Sequence, residues 1–429
     1  MKIIPLKRLA TVDISNVDKK SKDEESHVLL CNFVDVYHNW AITEDLSSNF
    51  MHATANKNQI ERFLIKKGQV AITKDSEKRN DIGLSTYIAD DIKNCVLGYH
   101  CALITPNNNE LRGKYLNIVF NSPYAQKYFE MNASGSGQRF SLSKQVIEDF
   151  PVPIPDDITI QDNFGDLCSN IDLKINNNKN ICSNLKAISR LLYDYWFLQF
   201  DYPNEEGKPY KTSGGSMKWN EVLKREIPEG WKVGKISDLG KVVGGATPST
   251  SNKEYYVKNG IGWITPNDLS NTEDKYIAHG ERDITNEAVD SCSTVLMPKG
   301  TVLISSRAPI GYLAIASDTL CTNQGFKSVV PNGYSSEFIY QTLRVMMPYI
   351  KQYGAGSKFA EVSADELANM SVLLPDTTIE KKYYQKIKSI EEQVLVFEEE
   401  NRQLISLRNF LLPLLMNGQV RIEKRNKKS

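Results

Sequence analysis

Two stretches of the chain close on nearly the same words. Residues 135–156 read GSGQRFSLSKQVIEDFPVPIPD and residues 354–376 read GAGSKFAEVSADELANMSVLLPD, each just before a long polar segment. Upstream of this pair the likeness continues in order. FLIKKGQVAIT (63–73) answers VLMPKGTVLIS (295–305), with Gly68 opposite Gly300. DIGLSTYIADD (81–91) answers PIGYLAIASDT (309–319), with Gly83 opposite Gly311. GYHCALITPN (98–107) answers GFKSVVPN (325–332) across a gap, and YAQKYFEMNASGSGQRF, ending at Phe140, answers PYIKQYGAGSKF, ending at Phe359. Order is kept throughout while spacing drifts by about a dozen positions, so the chain is read as an internal repeat.

Each copy reads as mixed α/β. GQVAIT and GTVLIS are short β-branched runs closed by glycine turns. KYLNIVFNSPYAQKYF (114–129) and SSEFIYQTLRVMMPYIKQY (335–353) read as helices, each disturbed by one proline. The matched glycines are read as turn formers.

After each copy comes a proline-rich stop, PVPIPDD or LLPDTT, and then a heptad pattern. In the first, positions 160, 164, 167, 171, 174, 178, 181, 185, 188, 192 and 195 are Ile, Phe, Leu, Ile, Lys, Asn, Ile, Leu, Ile, Leu and Tyr. In the second, positions 383, 387, 390, 394, 397, 401, 404, 408, 411 and 415 are Tyr, Ile, Ile, Val, Phe, Asn, Leu, Arg, Leu and Leu. Alternating steps of three and four predict coiled-coil helices about 60 Å long. Asn178 and Asn401 fall in the seams, where a buried amide sets register, and Pro413 ends or kinks the second helix. The expected fold class is therefore α/β (mixed α+β), with two pseudo-repeated globular domains separated by two long antiparallel coiled-coil helices. The expected partition is 1–156 first domain, 157–198 first spacer, 199–229 linker, 230–376 second domain, 377–417 second spacer and 418–429 basic tail.

Composition narrows the function. Fifty-two basic residues balance 52 acidic ones, so any affinity for a polyanion must come from local grouping of cations, not from net charge. The N-terminus lacks a signal-peptide core and no run reaches a membrane span, which predicts a cytoplasmic protein. The seven cysteines are scattered and never spaced as CxxC, and the five histidines show no ligand spacing. Reduced thiols and no metal site are expected.

The passage LLYDYWFLQFDYPNEEGKPYKTSGGSMKWNEVLKREIPEGWKVGKISDLG (191–240) is very similar to the segment joining the first spacer to the second recognition domain in specificity subunits of type I restriction–modification systems. GGATPSTSNKEYY with GIGWITPNDLS resembles the start of that family's recognition domains, and SSRAPIGYLAIASDTLCTNQGFKSVVP resembles their middle. ITKDSEKRNDIGLSTYIADDIKNCVLGYHCALITP resembles a variant of the same domain. One departure stands out: many members carry Pro-Pro and Glu-Gln pairs at each spacer's start, echoed here only by Gln161 and Glu380. The resemblance implies a non-catalytic reader of double-stranded DNA. It implies two methyltransferase subunits and two motor/endonuclease subunits as partners. Each domain would read half of a bipartite asymmetric site, and the spacers would hold the halves apart. The chain itself would bind no cofactor, with S-adenosylmethionine, ATP and Mg on the partner subunits. The competing reading is a coiled-coil adaptor that binds proteins through its two domains.

Three motifs imitate catalysis. NSPY (121–124) lacks the second proline of an adenine-methyltransferase loop and sits in a helical pattern. GAGSK (354–358) lacks the upstream glycine of a phosphate loop. Asp156 with Asp172-Leu173-Lys174 spells a nuclease motif, but on a heptad helix with Lys174 in the seam.

Candidates for DNA contact follow from residue type in loops. In the first domain these are Lys74, Arg79, Arg112 and Arg139. In the second they are Thr247, Asn267, Ser305, Ser306, Arg307, Asn323, Gln324 and Lys358. Arg139 and Lys358 occupy equivalent positions behind a Gly-x-Gly, and phosphate contact is the role assigned to that pair. Phe140 and Phe359 are read as core anchors, Asn323 as a turn former as readily as a contact.

Overall fold

The structure is a computed structural model that describes residues 2–136, 139–307, 309–355 and 361–416. Lys358 and Phe359 lie outside the described residues, as does the tail from 418. The chain divides into two compact units, one of residues 1–177 with 402–429 and one of residues 178–401.

The first unit is built on strands β1 (Ala10–Ile14), β2 (Ala41–Ile42), β3 (Val70–Thr73), β4 (Ser85–Ile88) and β5 (Cys101–Pro106), in the spatial order β1-β5-β3-β4-β2. The second is built on β6 (Gly240–Gly244), β7 (Tyr276–Ile277), β8 (Val302–Ile304), β9 (Leu313–Ala316) and β10 (Lys327–Pro331), in the order β6-β10-β8-β9-β7. The two orders are the same. Each sheet is antiparallel except at its last pair, where β2 runs parallel to β4 and β7 parallel to β9. The matched glycines hold the matched turns. Gly68 and Gly300 have φ of 94° and 88°, Gly83 and Gly311 of 83° and 112°, a region in which a Cβ is strained. Gly83 N–H donates to the Thr73 carbonyl at 3.2 Å, and Gly311 N–H to the Ser305 carbonyl at 3.0 Å.

Proline acts differently in the two copies. At 113–132 it separates two helices, Gly113–Phe120 and Pro123–Asn132, because Pro123 takes the first helical position behind the Ser122 cap. In the second copy one helix, Ser336–Ala355, runs through Pro348. The NSPY tetrapeptide is thus a helix junction, with Asn121 Nδ2 donating to the Ser85 carbonyl at 3.0 Å.

The cores are aromatic. Phe120, Phe129 and Phe150 meet in the first unit with centroids 5.2–5.6 Å apart. In the second, Phe197 packs on Phe338 at 4.9 Å and Tyr383 at 5.0 Å. Residues 199–229 belong to this second core: Tyr202 stacks on Tyr210 and Trp231, and Met217–Asn220 pairs with Arg225–Pro228 as a hairpin.

Both long helices form, α1 (Ile158–Tyr193) and α2 (Thr377–Met416). Their pairing is antiparallel in each unit. In the second, Asn178 Nδ2 donates to Asn401 Oδ1 at 3.0 Å and Cys182 lies against the Val394 carbonyl. In the first, Asp172 meets Arg408 at 2.6 Å, and Leu411 packs on the core that holds Cys168. The seam of α1 differs from the expected one at alternate positions. Phe164, Ile171 and Asn178 are buried as read, but Gln161, Cys168, Ile175, Cys182, Ser189 and Trp196 take the places assigned to their preceding neighbours. Ile160, Ile181, Ile188 and Tyr195 are exposed, as is Lys174, which is therefore no seam residue. Apolarity favoured one column of the helix, whereas the adjacent column, with the less apolar Gln161, Cys168, Cys182 and Ser189 in it, is the one buried. On α2, Tyr383, Ile387, Val394 and Asn401 are buried as expected, but Glu391 and Glu398 are buried more deeply than Ile390 and Phe397.

Candidate nucleic-acid interface

At the end of β3 the chain turns outward through Lys74 and Asp75, and the turn before β5 brings His100 beside them. Asp75 is 7% exposed. Its Oδ2 accepts from Lys74 Nζ at 2.8 Å and lies 2.6 Å from His100 Nδ1. Arg139, on a strand paired to this turn, places Nη2 2.9 Å from His100 Nδ1 and 3.6 Å from Asp75. Burial pushes the Asp75 carboxyl up, but hydrogen bonds from Lys74, His100 and Ser141 outweigh it and hold the group below the usual aspartate range. A carboxylate kept ionised in this way anchors cations. Lys74 also lies over the Tyr99 ring at 5.3 Å, and Tyr99 packs edge-on against His100. His100 adopts φ of 75°, a left-handed backbone in a non-glycine residue. Beside this cluster opens a groove of about 510 Å³ lined by Phe33, Tyr37, Asp81, Glu77, His100 and Arg139 among others.

Lys74 and Arg139 are thus brought together. Arg79 is exposed near them, donating to the Ala133 carbonyl at 2.9 Å and lying over Phe140. Arg112 is not. It is bound to Asp162 on α1 at 2.8 Å and to the Asn108 carbonyl, which commits its guanidinium to the protein itself.

In the second domain the equivalent turn carries other side chains. Arg307 lies 3.6 Å from Glu361, and Lys327 lies 3.5 Å from the same carboxylate. Thr247 donates to Gln324 Oε1 across neighbouring loops, and Lys327 Nζ reaches the Gln324 carbonyl at 3.4 Å. Asn267 is exposed on the short helix Pro266–Ser270. Asn323 accepts from Gly325 N–H at 2.8 Å, the turn-forming role. Ser305 and Ser306 do not present their hydroxyls, being 0% and 2% exposed. Ser305 Oγ donates to the Pro309 carbonyl at 2.8 Å and accepts from Gly311 and Tyr312 N–H; Ser306 Oγ donates to the Gly325 carbonyl at 3.2 Å. Both brace the loop that carries Arg307.

Asp75, His100, Lys327 and Glu361 were not among the residues read from sequence. The signal existed for two of them: His100 and Lys327 each stand two residues after a matched glycine, Gly98 and Gly325. Gln161 and Glu380, the faint echoes of a docking pair, are buried and turned inward. Gln161 Oε1 accepts from Arg112 N–H at 2.9 Å, capping the helix that starts at Gly113; Glu380 Oε1 accepts from Ser335 N–H at 3.0 Å, capping the helix that starts at Ser336.

Among the described residues no His, Cys, Asp or Glu cluster could hold a metal ion, and no helix is long and apolar enough to cross a membrane. The profile of the type I restriction modification DNA specificity domain matches the chain twice, over residues 11–187 and 228–406. The MjaIX specificity subunit of Methanocaldococcus jannaschii is 40% identical over 201 residues, 46% of each chain. The HindI specificity subunit of Haemophilus influenzae is 26% identical over 83% of this chain and 87% of its own. The match thus spans about half of the first relative and most of the second. The type I S subunit from M. genitalium shares the fold, with a TM-score of 0.59 at 13% identity over 96% of this chain and 95% of its own. Two family domains, on two sheets of one topology, show that the chain belongs to the type I restriction–modification DNA-specificity family.

Proposed function

We propose that the chain is the DNA-reading subunit of a type I restriction–modification complex. Each domain, 1–156 and 230–376, reads one half of a bipartite asymmetric site. The helical segments, 157–198 and 377–417, dock two methyltransferase subunits and set the spacing between the half-sites; residues 199–229 link the halves and 418–429 form a basic tail. Two motor/endonuclease subunits complete the assembly in the cytoplasm. The chain performs no chemistry itself. Methyl transfer from S-adenosylmethionine, and ATP- and Mg-dependent cleavage, belong to the partners.

One observation carries this reading: the same turn of the same sheet presents side-chain sets of different chemistry in the two copies, Lys74, His100 and Arg139 around Asp75 against Arg307 and Lys327 around Glu361. A protein that reads two unlike half-sites needs one scaffold with two vocabularies. The test is selection from random duplexes by the chain together with its methyltransferase subunit. A two-part motif with a constant gap is the expected result, and a flat pool favours a protein-binding adaptor.

A further inference from the structure

We propose that the groove of the first domain reads a guanine–cytosine pair, with Arg139 donating to the guanine and a carboxylate of the same groove accepting from the cytosine amine. This rests on the DNA-reading function above. It replaces the phosphate role that residue type alone assigned to Arg139.

Arg139 is 60% exposed at its side chain, yet it is not loose. Nη2 is held by the Asp75 carboxylate at 3.6 Å and packs 2.9 Å from His100 Nδ1, whose proton goes to the same carboxylate. One edge of the guanidinium is therefore spent on position, and the other N–H groups remain for a ligand. Asp75 is the anchor, buried, and the same Oδ2 that faces His100 and Arg139 accepts from Lys74 Nζ. His100 holds its place with a left-handed backbone, a conformation costly in a residue other than glycine and kept where the surroundings over-determine it.

The rest of the groove decides between phosphate and base. Asp81 and Glu77 line it beside Arg139, with Lys78 as the one ammonium among the described lining residues, so a phosphate would meet three carboxylates with Asp75 counted. Asp81 Oδ2 accepts from the Tyr37 hydroxyl at 2.9 Å, so the carboxylate is steered by an aromatic wall in which Tyr37 stacks on Phe33. A guanidinium next to carboxylates complements the major-groove edge of a G·C pair, which offers two acceptors on guanine and one amine on cytosine. An A·T pair orders its edge as acceptor, donor, acceptor and methyl, so the two donors of the guanidinium fork find no two adjacent acceptors there.

The test uses the full chain with its methyltransferase subunit, bound to random duplexes that are then sequenced, over a series of salt concentrations. Wild type should select a motif with a G·C position in one half. Arg139→Ala should flatten that position roughly 10-fold and leave the other half unchanged. Asp81→Asn should weaken the preference for G·C over the other base pairs at that position, and Arg139→Lys should keep part of the preference. A uniform loss over all sequences with a shallower salt dependence would make Arg139 a phosphate contact and overturn the proposal. So would a motif in the Arg139-sensitive half that contains A·T positions alone. A melting curve for each variant separates these outcomes from unfolding, with Arg139→Lys as the variant that keeps the charge. A wild-type pool with no motif overturns the DNA-reading function, and this proposal with it.

Discussion

Lys275 and Glu391 form the buried ion pair of the second unit, and removing one partner should be far worse than removing both. Nζ and Oε2 lie 2.7 Å apart with side chains 3% and 4% exposed. Lys275 stands just before β7, and its backbone N–H with that of Tyr276 donates to the two oxygens of Glu398, also on α2, each at 2.9 Å. The pair therefore belongs to the stitching of sheet to helix. Lys275→Met leaves Glu391 charged, out of water and, among the described residues, with only the Tyr276 hydroxyl at 3.0 Å as a donor. Breaking a buried pair from one side costs about 3–5 kcal/mol. For a unit of roughly 150–250 residues each kcal/mol moves Tm by about 2–4 °C, so the second unit's transition should fall by roughly 6–20 °C. Adding Glu391→Leu removes the stranded charge, and the double variant should regain most of the loss. Differential scanning calorimetry reads both transitions of the chain separately. A single variant that costs less than about 1 kcal/mol, or a double variant no better than the single, would refute the claim that the carboxylate is buried and paired.

Four further outcomes follow from the geometry. Asp75→Asn should destabilise the first unit at neutral pH and match wild type in strong acid. The folded carboxyl is held below its ordinary value, so its contribution is full above the ordinary aspartate range and is lost as pH falls through the lowered one; stability measured from pH 7 downward checks this. Gln161→Ala and Glu380→Ala each uncap a helix and should cost about 1–2 kcal/mol in urea unfolding without altering any recognition motif. Arg307→Ala should relax discrimination at one position of the second half-site by about 1–3 kcal/mol, whereas Ser305→Ala should lower stability by about 1–3 kcal/mol through the Tyr312 N–H left without its acceptor, since Gly311 N–H keeps the Ser305 carbonyl. Replacing Asn178 and Asn401 together by leucine should raise the melting temperature while blurring helix register, visible as a second population in crosslinking across the pair.

The repeat was legible because the features that define it are backbone requirements written in residue identity. Gly68, Gly83, Gly300 and Gly311 are needed at positive φ, so they stand in register for any reader of the sequence. The placing of Asn178 and Asn401 in the helix seams and the mixed α/β class followed from spacing in the same way, whereas the bond between the two asparagines is visible only in the structure. The seam of α1 was not legible. A 3.6-residue turn leaves two neighbouring columns as candidates, and the column with Ile181 and Ile188 is the more apolar although Cys182 and Ser189 are the residues buried. Burial of Glu391 and Glu398 was hidden for the opposite reason, since a charged residue on a helix reads as solvated until its partner across the fold is known. The site suffered most. Residue type nominated Arg112 and Ser305 and passed over Asp75 and His100, because what qualifies a side chain to meet a ligand is which of its groups are already spent.

That distinction explains how the two copies can share a frame and differ in use. In both, the backbone after the third strand is tied at equivalent points: Leu142 N–H donates to the Lys74 carbonyl at 2.7 Å, and Val362 N–H to the Ser306 carbonyl at 3.0 Å. These bonds are blind to side chains, so they hold the turn whatever it presents. At the next residue Asp75 is an acid that gathers cations, and Arg307 is a cation that faces an acid. The carrying residue has changed sign while the turn beneath it has not. Recognition can therefore diverge in one domain without disturbing the fold of either, since the residues that specify contact are not the residues that specify the turn.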